Sequence, residues 1–157
     1  MQDFWACLGV LVAVAGLILI RKQLKEATLS RKVQTLTSLF ESFQTLEARR
    51  ARRYIHHLEP VPVAQITPEQ LDEHLDKMWE AVAPFDRIGY FLKKEFIHEE
   101  EVIPFMWAIV WTSWQKSKHI ILLMREKRND STYRMGFEYF FVVSERYRRE
   151  NNYEEPR

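Results

Sequence analysis

Four of the five histidines of this chain lie close in sequence to carboxylates, the combination from which proteins build metal sites. They are His56, His57, His74 and His98, near the acids Glu59, Asp72, Glu73, Asp76, Glu99 and Glu100. A helical zinc or di-iron site needs ligands that repeat on one face, as in H-E-x-x-H or a repeated E-x-x-H. Neither arrangement occurs, and His74 falls on a different helix face from the two aspartates that flank it. We therefore predict no metal site and no cofactor.

Arg52 and His57 are a second candidate pair, because four residues separate them. This Arg-x4-His spacing resembles that of helical ribonucleases of the higher-eukaryote and prokaryote nucleotide-binding type. The resemblance implies that the histidine acts in acid–base chemistry and that the arginine stabilises phosphate charge. The stretch 49–53 contains four arginines, so the spacing also arises by accident. A solvated, basic helix face is the alternative that we favour.

Trp107, Trp111 and Trp114 form a third cluster, spaced by four and three residues so that they follow one side of a helix. Aromatic side chains of this size contribute most of their energy when they are buried in a core. We interpret the three tryptophans as core residues. A partner-binding groove or a contact with a membrane surface is the alternative.

Asp86 and Arg87 are a fourth candidate, directly after Pro84, which is predicted to kink a helix. A buried Asp–Arg pair at this point would hold two helices in register, and Gly89 would let those helices approach closely. The alternative is a binding pocket at the kink, with Asp86 and Arg87 in its wall.

The composition limits the kind of protein that positions these clusters. Apolar residues make up 46% and charged residues 29% of the 157 residues, so the chain is able to bury a core. Only 4 glycines and 6 prolines occur, which favours long helices. Of the 22 acidic residues, Asp3 alone precedes residue 21, which leaves 23 basic and 21 acidic residues in the rest of the chain. This near balance predicts no nucleic-acid partner.

An unbroken apolar run covers residues 4–20 and ends at Arg21 and Lys22. At ~1.5 Å per residue it is roughly 26 Å long as a helix, close to the thickness of a bilayer core. We predict a single-pass transmembrane helix in the inner (plasma) membrane. A cleaved signal peptide is the alternative, but no basic residue precedes the run. Because the basic residues follow it, we expect the N-terminus outside and the remaining chain in the cytosol.

The rest of the chain is predicted to be helical. No glycine or proline occurs between Gly16 and Pro60, so one long helix continues from the membrane. Pro60 and Pro62 then favour an extended linker, and Thr67 followed by Pro68 is typical of a helix start. The predicted fold class is therefore all-α, a transmembrane helix that continues into a juxtamembrane helix and precedes a small cytosolic helical bundle. The predicted boundaries are 1–20 for the transmembrane helix, 21–58 for the juxtamembrane helix, 59–67 for the linker, 68–150 for a bundle that packs with the juxtamembrane helix, and 151–157 for a disordered tail.

We predict three helices within the bundle. The first begins at Pro68. The second begins at the acidic residues 99–101, whose charge suits the positive end of a helix dipole, and extends to Arg128. The last runs from about Tyr133 to Arg149, after a turn at 129–132.

Apolar residues also repeat along the juxtamembrane helix in steps of four and three residues. This stripe packs against later helices of the same chain or, alternatively, pairs with a second copy in a parallel homodimer. Small residues on one face of the transmembrane segment favour the dimer, because they let membrane helices approach closely. The stripe is Leu29, Val33, Leu36, Phe40 and Phe43, and the small residues are Ala6, Gly9, Ala13 and Gly16.

Five features follow one another along the chain: a membrane helix, an arginine-rich stretch at 49–55, the motif F-D-R-I-G at 85–89, a tryptophan helix and a late arginine. This order resembles a bacterial and archaeal family of membrane-anchored proteins classified only as a domain of unknown function. The resemblance covers most of the chain. It implies a membrane anchor with a small helical domain, and it implies no particular activity.

These observations favour a membrane-anchored interaction or scaffold module. Its partners would be the lipid bilayer and another protein or a second copy of the chain. The chain has no glycine-rich phosphate loop and no nucleophile elbow, so an enzyme comes second. That enzyme would be a membrane-tethered ribonuclease using Arg52 and His57. A third possibility is a sensor whose membrane helix transmits a state to the domain.

Overall fold

The structure is a computed structural model that describes residues 2–57 and 67–156, with the side chains of 2–15, 18 and 68–74 outside the description. Within these ranges it contains five helices and no strand, which confirms the all-α class. The helices are α1 (Gln2–Gln44), α2 (Leu46–His57), α3 (Pro68–Lys93), α4 (Glu99–Arg128) and α5 (Met135–Glu150).

The predicted transmembrane helix falls largely on residues whose side chains are not described. In the part of the chain that the structure does describe, no helix combines the length and the apolar character needed to cross a bilayer. The predicted linker 59–67 also lies outside the described residues, apart from Thr67. Both assignments therefore stay predictions.

The chain divides into two compact units, Met1–Ser38 and Leu39–Arg157. In the first unit, the apolar side chains of Leu24, Leu29 and Val33 are exposed. In the second unit, Phe43 is buried. The predicted stripe thus packs within the chain at its C-terminal end, whereas Leu29 and Val33 contribute to no core in the described residues.

Thr45 divides the helix that was predicted to run unbroken over 21–58, so that prediction is wrong in this respect. The Thr45 hydroxyl oxygen accepts a hydrogen bond from the backbone N–H of Ala48 at 3.1 Å, in the manner of an N-cap. Helix α1 ends at Gln44 and helix α2 begins at Leu46. A threonine side chain that bonds to the local backbone competes with the helical ladder, which is the physical reason for the break.

The core of the second unit forms where α5 packs against α3 and α4, and where α2 packs against α3 and α4. Its centre is aromatic. The ring of Phe85 stacks on Phe137 at 5.0 Å and meets Phe43 edge-on at 4.9 Å. Phe85, Phe137 and Phe140 are fully buried. Rings of this size remove a large apolar area from water and so tie α1, α3 and α5 together.

Helix α4 begins and ends as the sequence predicted. At its start, the backbone N–H of His98 donates to the carboxylate of Glu101 at 2.9 Å. At its end, Asn129 adopts a left-handed conformation with φ 48° and donates its backbone N–H to the Glu126 carbonyl. Asparagine tolerates this conformation better than most residues, so it stops the helix at small cost.

Candidate functional site

Helix α2 separates its small apolar residues from its basic ones. Ala48, Ala51 and Ile55 are buried, which follows from their spacing of three and four residues. All the basic side chains of α2 except Arg50 occupy the neighbouring face, over about two and a half helical turns. They are Arg49, Arg52, Arg53, His56 and His57.

These basic residues line an open groove, the α2–α4 groove, with a cavity volume of about 650 Å³. Leu46 of helix α2 and Ile109 of helix α4 add an apolar part to its wall. Among the described lining residues there are three arginines and two histidines, and no carboxylate. The groove therefore carries a positive charge that no described lining side chain neutralises. It brings together Arg52 and His57, the pair that the sequence singled out.

Arg52 is the buried member of this set, with 7% of its surface exposed. Its guanidinium lies over the ring of Phe43, 3.8 Å from the ring centroid, a cation–π contact. Its Nη1 is buried and has no hydrogen-bond partner among the described residues. Burial lowers the pKa of Arg52 from its ordinary value, and the nearby charge of Arg49 lowers it further. A desolvated cation with an unused donor gains stability from an anion.

His56 experiences the same field. Its pKa is lowered first by burial and then by the positive charges of His57, Lys116 and Arg52. Lys116 belongs to α4, so positive charge reaches His56 from both helices that border the groove. His57 is exposed. Burial lowers the pKa most, because it disfavours the charged imidazolium, and the neighbouring cations lower it further.

Asp86 and Arg87 do not form the predicted pair, because Arg87 is exposed and Asp86 bonds to helix α5 instead. The Asp86 carboxylate accepts a hydrogen bond from the backbone N–H of Phe137 at 3.0 Å. Its other oxygen is 3.3 Å from Nη1 of Arg134. Asp86 thus joins α3 to the start of α5, and its ionic partner is Arg134. The sequence suggested the function of Asp86 correctly and its partner wrongly.

Arg134 is buried to nearly the same extent as Arg52, with 8% of its surface exposed. Its guanidinium lies over the ring of Trp79, 4.0 Å from the centroid. One of its amino nitrogens, Nη2, is buried without a partner in the described part of the chain. A cleft of about 460 Å³ borders this site, with Asp86, Arg87 and Arg134 in its wall.

Gly89 and Gly136 allow α3 and α5 to touch backbone to backbone. A Cβ added to Gly89 would lie 1.8 Å from the carbonyl oxygen of Gly136. A Cβ added to Gly136 would lie 2.2 Å from the carbonyl oxygen of Asp86. These distances leave no room for a side chain, which confirms that Gly89 permits close helix approach.

Trp111 and Trp114 pack against helix α5 in the way expected of core residues. Trp114 is buried and stacks on Phe141 at 5.5 Å. Trp111 is half-buried, and its indole N–H donates to the carboxylate of Glu145 at 2.7 Å. This bond satisfies the single polar group of the indole, the N–H, while the rest of the ring is apolar. Such a side chain suits the border of the core.

Trp107 is covered by the residues that follow α5. Its ring stacks on Tyr153 at 5.2 Å, and Arg148 donates to the carbonyl oxygen of Tyr153 at 3.0 Å. The segment predicted as a disordered tail, 151–157, therefore packs on the domain at Tyr153. The three tryptophans contribute to packing and not to a free groove.

Sequence analysis missed Arg49, Arg53, His56 and Lys116 as members of the site. The spacing of the α2 residues carried that signal, because steps of three and four residues place them on one helix face. Lys116 had no local signal. Among the described residues, no group of three or more metal-binding side chains is placed to hold an ion.

The chain was compared with protein-family models, with curated proteins and with solved structures, and none of the three comparisons finds a match.

Proposed function

We propose that this chain is a membrane-anchored interaction module whose helical domain binds a negatively charged partner in the α2–α4 groove. The observation that carries the proposal is the uncompensated charge of the groove, where Arg49, Arg52 and Arg53 meet no carboxylate among the described lining residues. Most surface arginines have water or a mobile counter-ion as neighbour. The Nη1 atom of Arg52 is buried and has no hydrogen-bond partner among the described residues.

Binding explains this arrangement better than catalysis does. Arg52 is held between Phe43 and the helix, so it provides a fixed positive charge. Arg49 and Arg53 are exposed at the rim and can reach a partner without losing their hydration fully. An arrangement of this kind attracts an anion over a Debye length and retains it by direct contact. Affinity should therefore fall as salt rises.

The test uses the full-length chain in mild detergent and a fluorescein-labelled octaglutamate peptide as probe. We expect saturable binding by fluorescence anisotropy, weakened about tenfold in Arg49→Gln/Arg53→Gln, since each exposed charge pair contributes up to about 1 kcal/mol. The matched control, Arg50→Gln/Lys127→Gln, removes the same charge from exposed positions outside the groove. Equal weakening in both variants would show that binding depends only on net charge, which would contradict the proposal.

The membrane anchor is part of the proposal and rests on the apolar run 4–20 with Arg21 and Lys22 behind it. The resemblance to a membrane-anchored family of unknown function points the same way. A reporter fused after Arg157 should behave as cytosolic. Protease added to sealed cells should leave the domain intact. Digestion from outside would show the opposite orientation.

A ribonuclease is the second candidate, favoured by one observation: Arg52 and His57 line the same groove. On this alternative His57 transfers a proton and Arg52 stabilises phosphate charge. Labelled RNA incubated with the full-length chain distinguishes the two functions. Cleavage that disappears in His57→Ala would favour the enzyme. Intact RNA under conditions where octaglutamate binds would favour the interaction module.

A homodimer is a further part of the proposal, supported by the exposure of Leu29 and Val33 in the first unit. Their spacing suits a parallel coiled coil. Cysteines placed singly at Val33 and Leu36, in a Cys7→Ser background, should form oxidative crosslinks in membranes. Gly9→Leu should weaken them, because a large side chain separates membrane helices. If neither position forms crosslinks and both thiols are inaccessible to thiol reagents, the dimer is excluded.

A further inference from the structure

The donors of the α2–α4 groove come from successive turns of one helix. Arg49, Arg52 and Arg53 are followed by His56, so charged or polar N–H groups extend along roughly 10 Å of helix α2 at about 1.5 Å per residue. The face of the Arg52 guanidinium is occupied by Phe43 at 3.8 Å. Arg52 also lines the groove, and the N–H groups of a guanidinium lie at the edge of its plane, where they form a fork that meets oxygen atoms.

Arg52 also differs from the other charged groove residues in being buried, with 7% of its surface exposed. Its Nη1 is buried and lacks an acceptor among the described residues, and an unsatisfied buried donor is energetically unfavourable. An oxygen atom of a bound anion would remove that cost. This makes Arg52 the point at which ligand chemistry is selected.

The number of acceptors and the charge distinguish the possible anions. A carboxylate has two oxygens and a single negative charge, so one arginine fork satisfies it. A phosphoryl group has three terminal oxygens and a charge of about −1.5 to −2 near neutral pH. It can accept from Arg52, from Arg49 or Arg53, and from His56 at the same time.

We propose that the anion recognised in the α2–α4 groove is a phosphoryl group, held by Arg52 with Arg49 and Arg53. This inference rests on the proposed function, that the groove binds an anion, and it names the chemistry of that anion. Arg52 is the specificity-determining residue, because its planar fork matches two phosphoryl oxygens at once. The phosphoryl group belongs to a small soluble compound or to a phospholipid headgroup.

The pKa of His56 provides a measure of anion binding. If the groove arginines served only in packing, this pKa would not change when phosphate is added. Its pKa is lowered by burial and by the charges of His57, Lys116 and Arg52. A bound dianion reverses the sign of the dominant neighbouring charge, so the pKa of His56 should rise when phosphate binds. Acetate at equal ionic strength should leave it nearly unchanged.

The experiment titrates inorganic phosphate into the full-length chain in mild detergent at pH 7 and constant ionic strength. Calorimetry measures affinity, and the imidazole C–H signal of His56 in NMR spectra measures its pKa. Arg52→Lys keeps the charge and removes the fork, and we expect it to weaken phosphate binding about tenfold. The double variant Arg49→Gln/Arg53→Gln carries the test if Arg52→Lys does not fold. The control Arg50→Gln/Lys127→Gln should bind like the wild type.

Two further arms identify the source of the phosphoryl group. The chain is placed in nanodiscs of phosphatidylcholine alone, or with a fifth of phosphatidic acid. If the lipid headgroup is the source, phosphatidic acid should reduce the affinity for inorganic phosphate. If a soluble compound is the source, the two nanodiscs should give the same affinity.

The outcomes separate this inference from the proposed function. Octaglutamate binding that depends on the groove, with phosphate no better than acetate, would overturn the phosphoryl inference and keep the interaction module. Failure of both probes would overturn both. Phosphate binding that is lost in the groove variants and kept in the control supports both.

Discussion

Arg52 and Arg134 are two buried arginines placed in similar surroundings with different outcomes. Each guanidinium lies over an aromatic ring, Phe43 at 3.8 Å and Trp79 at 4.0 Å, and each has a buried amino nitrogen without a partner in the described residues. Only Arg134 has a carboxylate, since Asp86 is 3.3 Å away. The comparison teaches that an aromatic ring can hold a guanidinium in place in both sites, whereas only one of them has a carboxylate of the protein as counter-ion.

The two sites also differ in how tightly their helices meet. At the α3–α5 contact, Gly89 and Gly136 bring the backbones together, and the Asp86 carboxylate accepts the backbone N–H of Phe137 in the first turn of α5. The protein thus supplies its own anion at a helix N-terminus. At the α2–α4 groove, an open cavity of about 650 Å³ lies along helix α2 beside Ile109 of α4. The first site joins two helices, and the second is the one for which we propose a ligand.

The largest effect should come from closing the space between α3 and α5. In Gly89→Ala the new Cβ would lie 1.8 Å from a backbone oxygen that cannot move aside, so the helices must separate. We expect a loss of about 3 kcal/mol or more in the free energy of unfolding, measured by urea denaturation. Gly16→Ala is the control, because nothing lies within 4 Å of its added Cβ. A Gly89→Ala protein as stable as the control would show that the contact is not tight.

Removal of the Asp86 carboxylate should have the next largest effect. Asp86→Asn leaves Arg134 buried without its counter-ion, which we expect to destabilise the domain by about 2–3 kcal/mol, less than for a fully buried pair because Asp86 is half-buried. Asp76→Asn is the control, since Asp76 is exposed on the same helix. Equal stability of the two variants would mean that Trp79 alone is sufficient to hold Arg134.

Glu145 is the counter-ion of a third arginine, Arg148. The stabilisation that this carboxylate provides depends on pH. The pKa of Glu145 is lowered from 4.5 to about 2, chiefly by the hydrogen bond from Arg148, with contributions from Arg149 and Trp111. Because the folded pKa lies below the unfolded one, the ionised carboxylate stabilises the fold above about pH 4.5. That stabilisation is lost as the pH falls towards about 2.

We expect the contribution of Glu145 to be about 1–2 kcal/mol after allowance for solvent screening. Urea denaturation of wild type and Glu145→Gln should show this difference at pH 6 and a much smaller one at pH 2.5. Glu126→Gln, at an exposed position of α4, should show no such change. A difference that stays constant with pH would assign the effect to packing.

The smallest effect on stability should come from the groove. Arg49→Gln/Arg53→Gln removes two charges that have no ion-pair partner in the described residues, so we expect a change within about 0.5 kcal/mol in phosphate-free buffer. The measurement is the same urea denaturation. A loss above about 1 kcal/mol would show that the fold, and not a ligand, uses these arginines.

The sequence predicted the helices well where local chemistry determines them. The acidic residues 99–101 marked the start of α4, and Arg128 marked its end, because dipole charges and a left-handed Asn129 act within one helical turn. It missed the break at Thr45, where a hydroxyl bonds to the backbone of a segment with strong helix-forming residues on both sides. It also predicted a frayed tail where Tyr153 stacks on Trp107.

The candidate site was predictable in part. Arg52 and His57 stood out by spacing, and the structure places both in one groove. The burial of Arg52 under Phe43 was not predicted, because it depends on the break at Thr45 and on the packing of α2 against α3 and α4. The same holds for Lys116, which acts on His56 only once α2 and α4 are packed.

The sequence by itself determined the all-α class, the ends of α4 and the basic face of α2. These features depend on residues within a few positions of one another, where period, caps and side-chain volume act directly. Only the tertiary structure decided that Asp86 pairs with Arg134, 48 residues away, and that Arg52 meets no carboxylate in the described groove. The reason is physical: which charges meet depends on how helices pack, and packing is a property of the whole core.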